Sequence, residues 1–143
     1  MPFVRIWVHL IWSTKNREHL LPKEIRQNVF DHIKENAQTK GIHLDAIGGH
    51  IEHVHTLISL GADQTISKVA QLLKGESSHW FNKQGVSKFK LEWQEEYFAL
   101  SVSESNADNV RAYIRNQEEH HRKMTFAQEY EEVIRRHGFS FSK

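Results

Sequence analysis

The chain of 143 residues contains no cysteine. Disulfides and thiolate ligands are thereby excluded, so any bound metal must be held by histidine, carboxylate or amide groups. Long hydrophobic runs are also missing. The most apolar stretch near the N-terminus, FVRIWVHLIW, is cut by Arg5 and His9 and falls far short of the roughly 20 residues that cross a bilayer. Neither a signal nor a membrane anchor is expected, and a cytoplasmic location is. An excess of one charge is absent too: the formal net charge is +1, so the overall balance does not by itself point to nucleic acid. There are no internal repeats and no low-complexity segment. With 38% hydrophobic and 26% charged residues, the chain is long enough for one domain with a real core and too short for two comfortable ones. Residues 1–143 are read as a single domain.

What charge there is lies unevenly. Residues 65–90 hold Lys68, Lys74, Lys83, Lys88 and Lys90 against only Glu76, whereas residues 91–143 hold seven Lys/Arg against ten Asp/Glu. The basic stretch is the footprint of a phosphate-contacting surface, although a solvated lysine-rich helix and loop would look the same.

Hydrophobic periodicity gives an alternation of strands and helices. In residues 3–12, Val4, Ile6, Val8, Leu10 and Trp12 share one face while Arg5 and His9 fall on the other, the pattern of a half-buried strand. Pro22 opens a segment with Ile25, Val29, Ile33 and Ala37 at spacing four, and Gly41 closes it, which predicts a helix of roughly four to five turns. Residues 42–47 and 53–60 read as a hairpin joined across Gly48-Gly49-His50. Ile66, Val69, Ala70, Leu73 and Trp80 predict a second helix despite Gly75. The run LEWQEEYFALSV, residues 91–102, reads as a strand with a bend at Glu95-Glu96. Ser105 with Asp108 resembles a capping box opening a third helix through Lys123, and Thr125 to His137, stopped by Gly138, reads as a fourth. The order β-α-β-β-α-β-α-α predicts an α+β domain on an antiparallel, ferredoxin-like sheet with packed helices.

Two short patterns carry the chemistry. His53 and His55, two apart on a strand, point to one face with Cα atoms about 6.6 Å apart, a span that two imidazoles can close around one ion. Tyr113 and Gln117, four apart on a helix, share a stripe. Together they offer three metal ligands and a phenol, a set that fits metal-assisted attack of tyrosine on a phosphodiester. Alone, each pattern is cheap. Eleven histidines in this chain produce a His-x-His pair about 0.8 times by chance, and the Tyr-x-x-x-Gln pattern arises about 0.2 times.

Flanking segments add specificity. HLIWSTKNR, HVHTLIS, ISKVAQLLKGESS, WQEEYFALSVS and VRAYIRNQEEHH, in that order and over most of residues 7–138, resemble the single-tyrosine HUH transposases of small bacterial insertion sequences. The resemblance implies that His53, His55 and Gln117 bind Mg²⁺ or Mn²⁺ and that Tyr113 is the nucleophile. It further implies cleavage and rejoining of single-stranded DNA through a 5′-phosphotyrosine link, recognition of DNA hairpins, a homodimer, and no nucleotide cofactor. Two alternatives stand beside it: a domesticated relative acting on host palindromic repeats, and a non-catalytic nucleic-acid-binding module. The second would want exposed aromatics on the central strands.

This chain also departs from the family pattern, reading GGHIEHVH where relatives often have an aspartate and a small turn before the first histidine. Glu52 is expected to point away from the histidine face. His50 is expected in a loop, and His120 and His121, being adjacent, are not expected to share a face. His9 is assigned to the polar side of the first strand. Trp80, Phe81, the lysines of 65–90, Lys15, Arg17, Arg111, Arg115 and Arg122 are candidate DNA contacts. No general base is identified.

Overall fold

The computed structural model describes residues 2–139. Four strands, β1 (Trp7–Ser13), β2 (His43–Gly49), β3 (His53–Ser59) and β4 (Phe98–Val102), form one antiparallel sheet in the order β2-β3-β1-β4. The long helices α1 (Lys23–Thr39) and α2 (Ile66–Gln84) and the shorter α3 (Ala107–Arg115), α4 (Gln117–His120) and α5 (Phe126–His137) complete it. This is the α+β, ferredoxin-like arrangement that the alternation of patterns predicts. No helix among the described residues is long and apolar enough to cross a membrane.

The sheet is covered on both faces. Val8, Leu10 and Trp12 of β1 join Val54 and Ile58 of β3 and Val29, Phe30, Ile33, Val69, Ala70 and Leu73 of α1 and α2 in the main core. Trp7, Ala46 and Leu57 pack on the opposite face with Ala107 and Ile114 of α3. β1 is therefore buried on both sides rather than half-buried, and Trp7, His9 and Ile11 are as enclosed as their neighbours.

Gly48 and Gly49 belong to β2, and the turn is His50–Glu52. The glycines are needed there for contact rather than for turning. A Cβ on Gly48 would sit 2.0 Å from the Ile114 carbonyl oxygen, and one on Gly49 would sit 2.2 Å from that of His53. Gly48 pairs with His55, so the backbone of α3 lies directly on the sheet beside the histidines. A bulge at Asp45 turns its carboxylate to Arg111 of α3, which also pairs with Asp108. Arg111 is thus committed within the fold.

Three expected elements are shorter. The first strand begins at Trp7 rather than at residue 3, and Val4 and Ile6, expected on its buried face, are exposed ahead of it. Of residues 91–102 only 98–102 join the sheet, because the Lys74 ammonium draws the chain aside by taking the carbonyls of Gln94 and Glu95 at 2.7 and 3.0 Å. The expected third helix breaks at Asn116, whose φ/ψ of −100/22 is not helical. Ser105 caps nothing: it lies in a short 3₁₀ turn, Glu104–Asn106, ahead of α3. By contrast, α5 has a true capping box between Thr125 and Gln128 and a left-handed Gly138 at its end.

Candidate active site

Strand β3 turns His53 and His55 to the α3 face, where both are fully buried. Each ring is held from behind. Glu52 Oε1 is 2.8 Å from His53 Nδ1, and His9 Nε2 is 2.8 Å from His55 Nδ1. The Nε2 atoms of both face inward. There His53 meets Gln117 Oε1 at 2.9 Å and Glu129 Oε1 at 3.3 Å, and His55 meets the same Glu129 oxygen at 3.3 Å.

The other carboxylate oxygen, Glu129 Oε2, accepts the Tyr113 hydroxyl and lies 3.2 Å from His120 Nε2. His121 Nε2 is 3.1 Å from Gln117 Oε1 and 3.2 Å from Glu129 Oε1. Phe126 stacks on His53 at 4.1 Å and His50 on His121 at 5.1 Å. The structure therefore brings Tyr113, His53, His55 and Gln117 to one point despite their separation in sequence.

Charge in this cluster is set by burial and by carboxylates. Burial pushes His55 down to about 4 and His9 to about 3, keeping both rings neutral. Burial also opposes charging of His53, but hydrogen bonds to Glu129 and Glu52 outweigh it and raise its value. Burial disfavours the Glu129 anion as well, yet the hydrogen bonds with His53 and His55 prevail and bring it down to about 2.

Several expectations change. Glu52 faces the site because it sits in a turn, where strand alternation does not apply. His120 and His121 both reach the site because α4 ends between them, releasing His121 from helical geometry. Phe81 is core, Trp80 stacks on His32 at 3.9 Å, and Lys74 is spent on carbonyls, so none of these is a free DNA contact. Arg17 lies over the rings of Tyr130 and Phe126. Lys68, Lys83, Lys88 and Lys90 remain exposed.

Glu129 was not singled out by its sequence, though a signal exists. It follows Phe126 by three positions and precedes Val133 by four, so a carboxylate stands on the apolar stripe of α5. A buried Arg26 was also hidden; its guanidinium joins the Leu21 carbonyl to Glu118 at 2.7 Å and thereby anchors α4 to α1.

The donor set suits a divalent cation. Ligand atoms of His53, His55 and Glu129 lie within 4.8 Å of one another, Gln117 Oε1 adjoins them, and both histidines have Nδ1 engaged so that Nε2 is available. A cleft of about 450 Å³ opens beside this point between α3, β4 and α5, with His55, Tyr113, His120 and Glu129 in its wall.

Residues 3–117 match the family model described as Transposase IS200 like. The chain belongs to the IS200-like transposase family. The ISDra2 transposase TnpA of Deinococcus radiodurans is 31% identical over 114 residues, covering 76% of this chain and 81% of that protein. A crystal structure from D. radiodurans R1, described as that of a transposase, superposes with a TM-score of 0.66 at 28% identity, covering 81% of this chain and 93% of the other. A REP-associated tyrosine transposase bound to a REP hairpin shares the fold, with a TM-score of 0.63 at 16% identity over 85% of this chain and 72% of the other. In this IS200-like transposase the matched stretch ends at Gln117, so His120, His121 and Glu129 lie beyond it.

Proposed function

We propose that the protein cuts and rejoins single-stranded DNA at insertion-sequence ends, with Tyr113 as nucleophile and His53, His55 and Gln117 as ligands of Mg²⁺ or Mn²⁺. Glu129 carries the reading. Its two oxygens touch the inward nitrogens of His53 and His55 on one side and the Tyr113 hydroxyl on the other. One carboxylate spans the gap between nucleophile and ligand set, and two oxygens of a phosphodiester have a similar span.

In the proposed reaction the Tyr113 oxygen attacks phosphorus and the bond to the 3′ oxygen breaks. The phosphate stays on Tyr113 with the 5′ end, and a free 3′-hydroxyl departs. A 3′-hydroxyl later attacks the phosphotyrosine, restores a phosphodiester and returns the phenol. A divalent cation held by His53, His55 and Gln117 would supply Lewis-acid polarisation of the phosphate. The phenol proton has two acceptors in reach, Glu129 Oε2 and, at 3.4 Å, His120 Nε2. Burial lowers the His120 value, which favours the neutral ring, and in the tautomer with its proton on Nδ1 the Nε2 lone pair faces the phenol.

Hairpin-bearing single-stranded DNA is the proposed partner, supported by the REP hairpin held by the fold relative, and a homodimer is the proposed assembly. The test is incubation with hairpin-bearing single-stranded DNA and Mn²⁺, followed by denaturing electrophoresis. A covalent adduct that disappears in Tyr113→Phe supports the assignment; an adduct retained in that variant removes Tyr113 from the role.

A further inference from the structure

We propose that Glu129 is a direct, anionic ligand of the metal, so that the ion and the C-terminal helix α5 hold each other in place. This rests on the metal-binding reading above and adds a ligand from outside the family-matched stretch.

Position is the first argument. Glu129 Oε1 is 3.3 Å from Nε2 of both His53 and His55 and 3.2 Å from that of His121, so it sits at the centre of the inward-facing donors. Gln117 Oε1 adjoins the same group through His53 and His121.

Burial is the second. Glu129 is 3% exposed, and a carboxylate so enclosed is costly unless a positive charge accompanies it. A divalent cation held between Glu129 Oε1 and the inward-facing nitrogens of His53 and His55 supplies that charge.

Delivery is the third. Other contacts seat α5 without help from Glu129: Phe126 on the His53 ring and Arg17 at 4.3 Å from the Tyr130 ring centre, while the Thr125 capping box fixes where the helix starts. They bring the carboxylate to the histidines as a preformed arm.

Two consequences follow. A set of imidazole and amide donors leaves the ion its full +2 charge, whereas a carboxylate reduces the local charge to +1; mixed imidazole and carboxylate ligation also favours Mn²⁺ over Mg²⁺. By linkage, whatever factor α5 docking adds to metal affinity, metal adds to docking.

Calorimetric titration of the full chain with Mn²⁺, without DNA, tests the ligand. Glu129→Leu is near-isosteric and suits the apolar stripe, and Glu129→Gln keeps an amide oxygen while removing charge. We expect affinity to fall at least about tenfold in both, as loss of an outer-sphere partner alone already gives about 10- to 100-fold. Unchanged affinity in the two folded variants overturns the proposal. His53→Ala separates the two readings: if it loses affinity while the Glu129 variants do not, only the ligand assignment fails, and if it too is unchanged, the metal centre itself fails. Amide hydrogen exchange of the wild-type protein needs no variant to fold. Mn²⁺ should slow exchange across residues 126–137, and exchange indifferent to Mn²⁺ overturns the coupling.

Discussion

His9 Nε2 and His55 Nδ1 lie 2.8 Å apart on the adjacent strands β1 and β3. Burial keeps both rings neutral, so the contact holds one proton. With that proton on His55 Nδ1 and His9 accepting, the His55 Nε2 lone pair faces the other donors.

Replacing His9 by leucine removes that acceptor while filling the space. Mn²⁺ affinity measured by calorimetry is expected to fall about 10- to 100-fold, the usual effect of losing a partner behind a ligating imidazole. His9→Gln, which restores an acceptor, should recover much of the loss. A leucine variant with wild-type affinity would falsify the orienting role.

Two glycines provide an internal contrast. Gly48→Ala drives a methyl into the Ile114 carbonyl, so α3 must lift from the sheet; a loss of about 1–3 kcal/mol is expected from overpacking, with a fall in adduct yield as Tyr113 shifts. Gly75 lies inside α2 with nothing within 4 Å of a built Cβ. Gly75→Ala should stabilise by about 0.5–1 kcal/mol through helix propensity. Urea unfolding of both variants checks the pair, and equal effects would count against the close approach at Gly48.

Acid should destabilise the metal-free protein from an unusually high pH. Below about 6.5 the unfolded chain binds protons that folded His9 and His55 refuse until about pH 3 and 4. The unfolded state then holds more protons, so stability declines as pH falls, by up to about 1.4 kcal/mol per pH unit for each ring. His53, with its raised value, has the opposite sign, but its contribution is lost only above 6.5 and is constant below. Glu129, lowered from 4.5 to about 2, begins to lose its contribution only under about 4.5. Urea midpoints in chelator at pH 7, 6 and 5 should therefore drop steadily, and His9→Leu should flatten the drop.

Lysines of the basic stretch should divide by role. Lys83, Lys88 and Lys90 are exposed, so replacing all three by alanine should reduce the slope of log affinity for single-stranded DNA against log salt by about 2, near 0.7 for each phosphate contact. Lys74→Ala should instead lower stability by about 1–3 kcal/mol, because its ammonium serves the carbonyls of Gln94 and Glu95. An unchanged salt slope in the triple variant would shift the DNA surface elsewhere.

The strongly periodic parts of the chain were legible. Spacing-four apolar residues and the flanking Pro22 and Gly41 located α1, and Thr125 and Gly138 located α5. The local motifs of His53, His55, Tyr113 and Gln117 were legible too, but not the residues that reach them from a distance. Glu52 escaped because a turn suspended the alternation rule, and His121 because a helix ended one residue before it. Glu129 escaped because its importance comes from tertiary contacts that no local spacing encodes. The Gly48-Gly49 pair resembled a turn, yet close backbone approach uses the same residue type for a different reason.

The loop after β1 adds a consequence for truncation. Asn16 and Arg17 both hold left-handed backbone conformations, at φ 56° and 54°, which asparagine tolerates but which cost a residue such as arginine about 1–2 kcal/mol. Arg17 lies against Tyr130 and Phe126, so α5 helps keep this loop in an otherwise unfavourable shape. A chain ending near residue 124 would lose more than its own last helix: the start of the molecule would be left holding a conformation that its far end had supported.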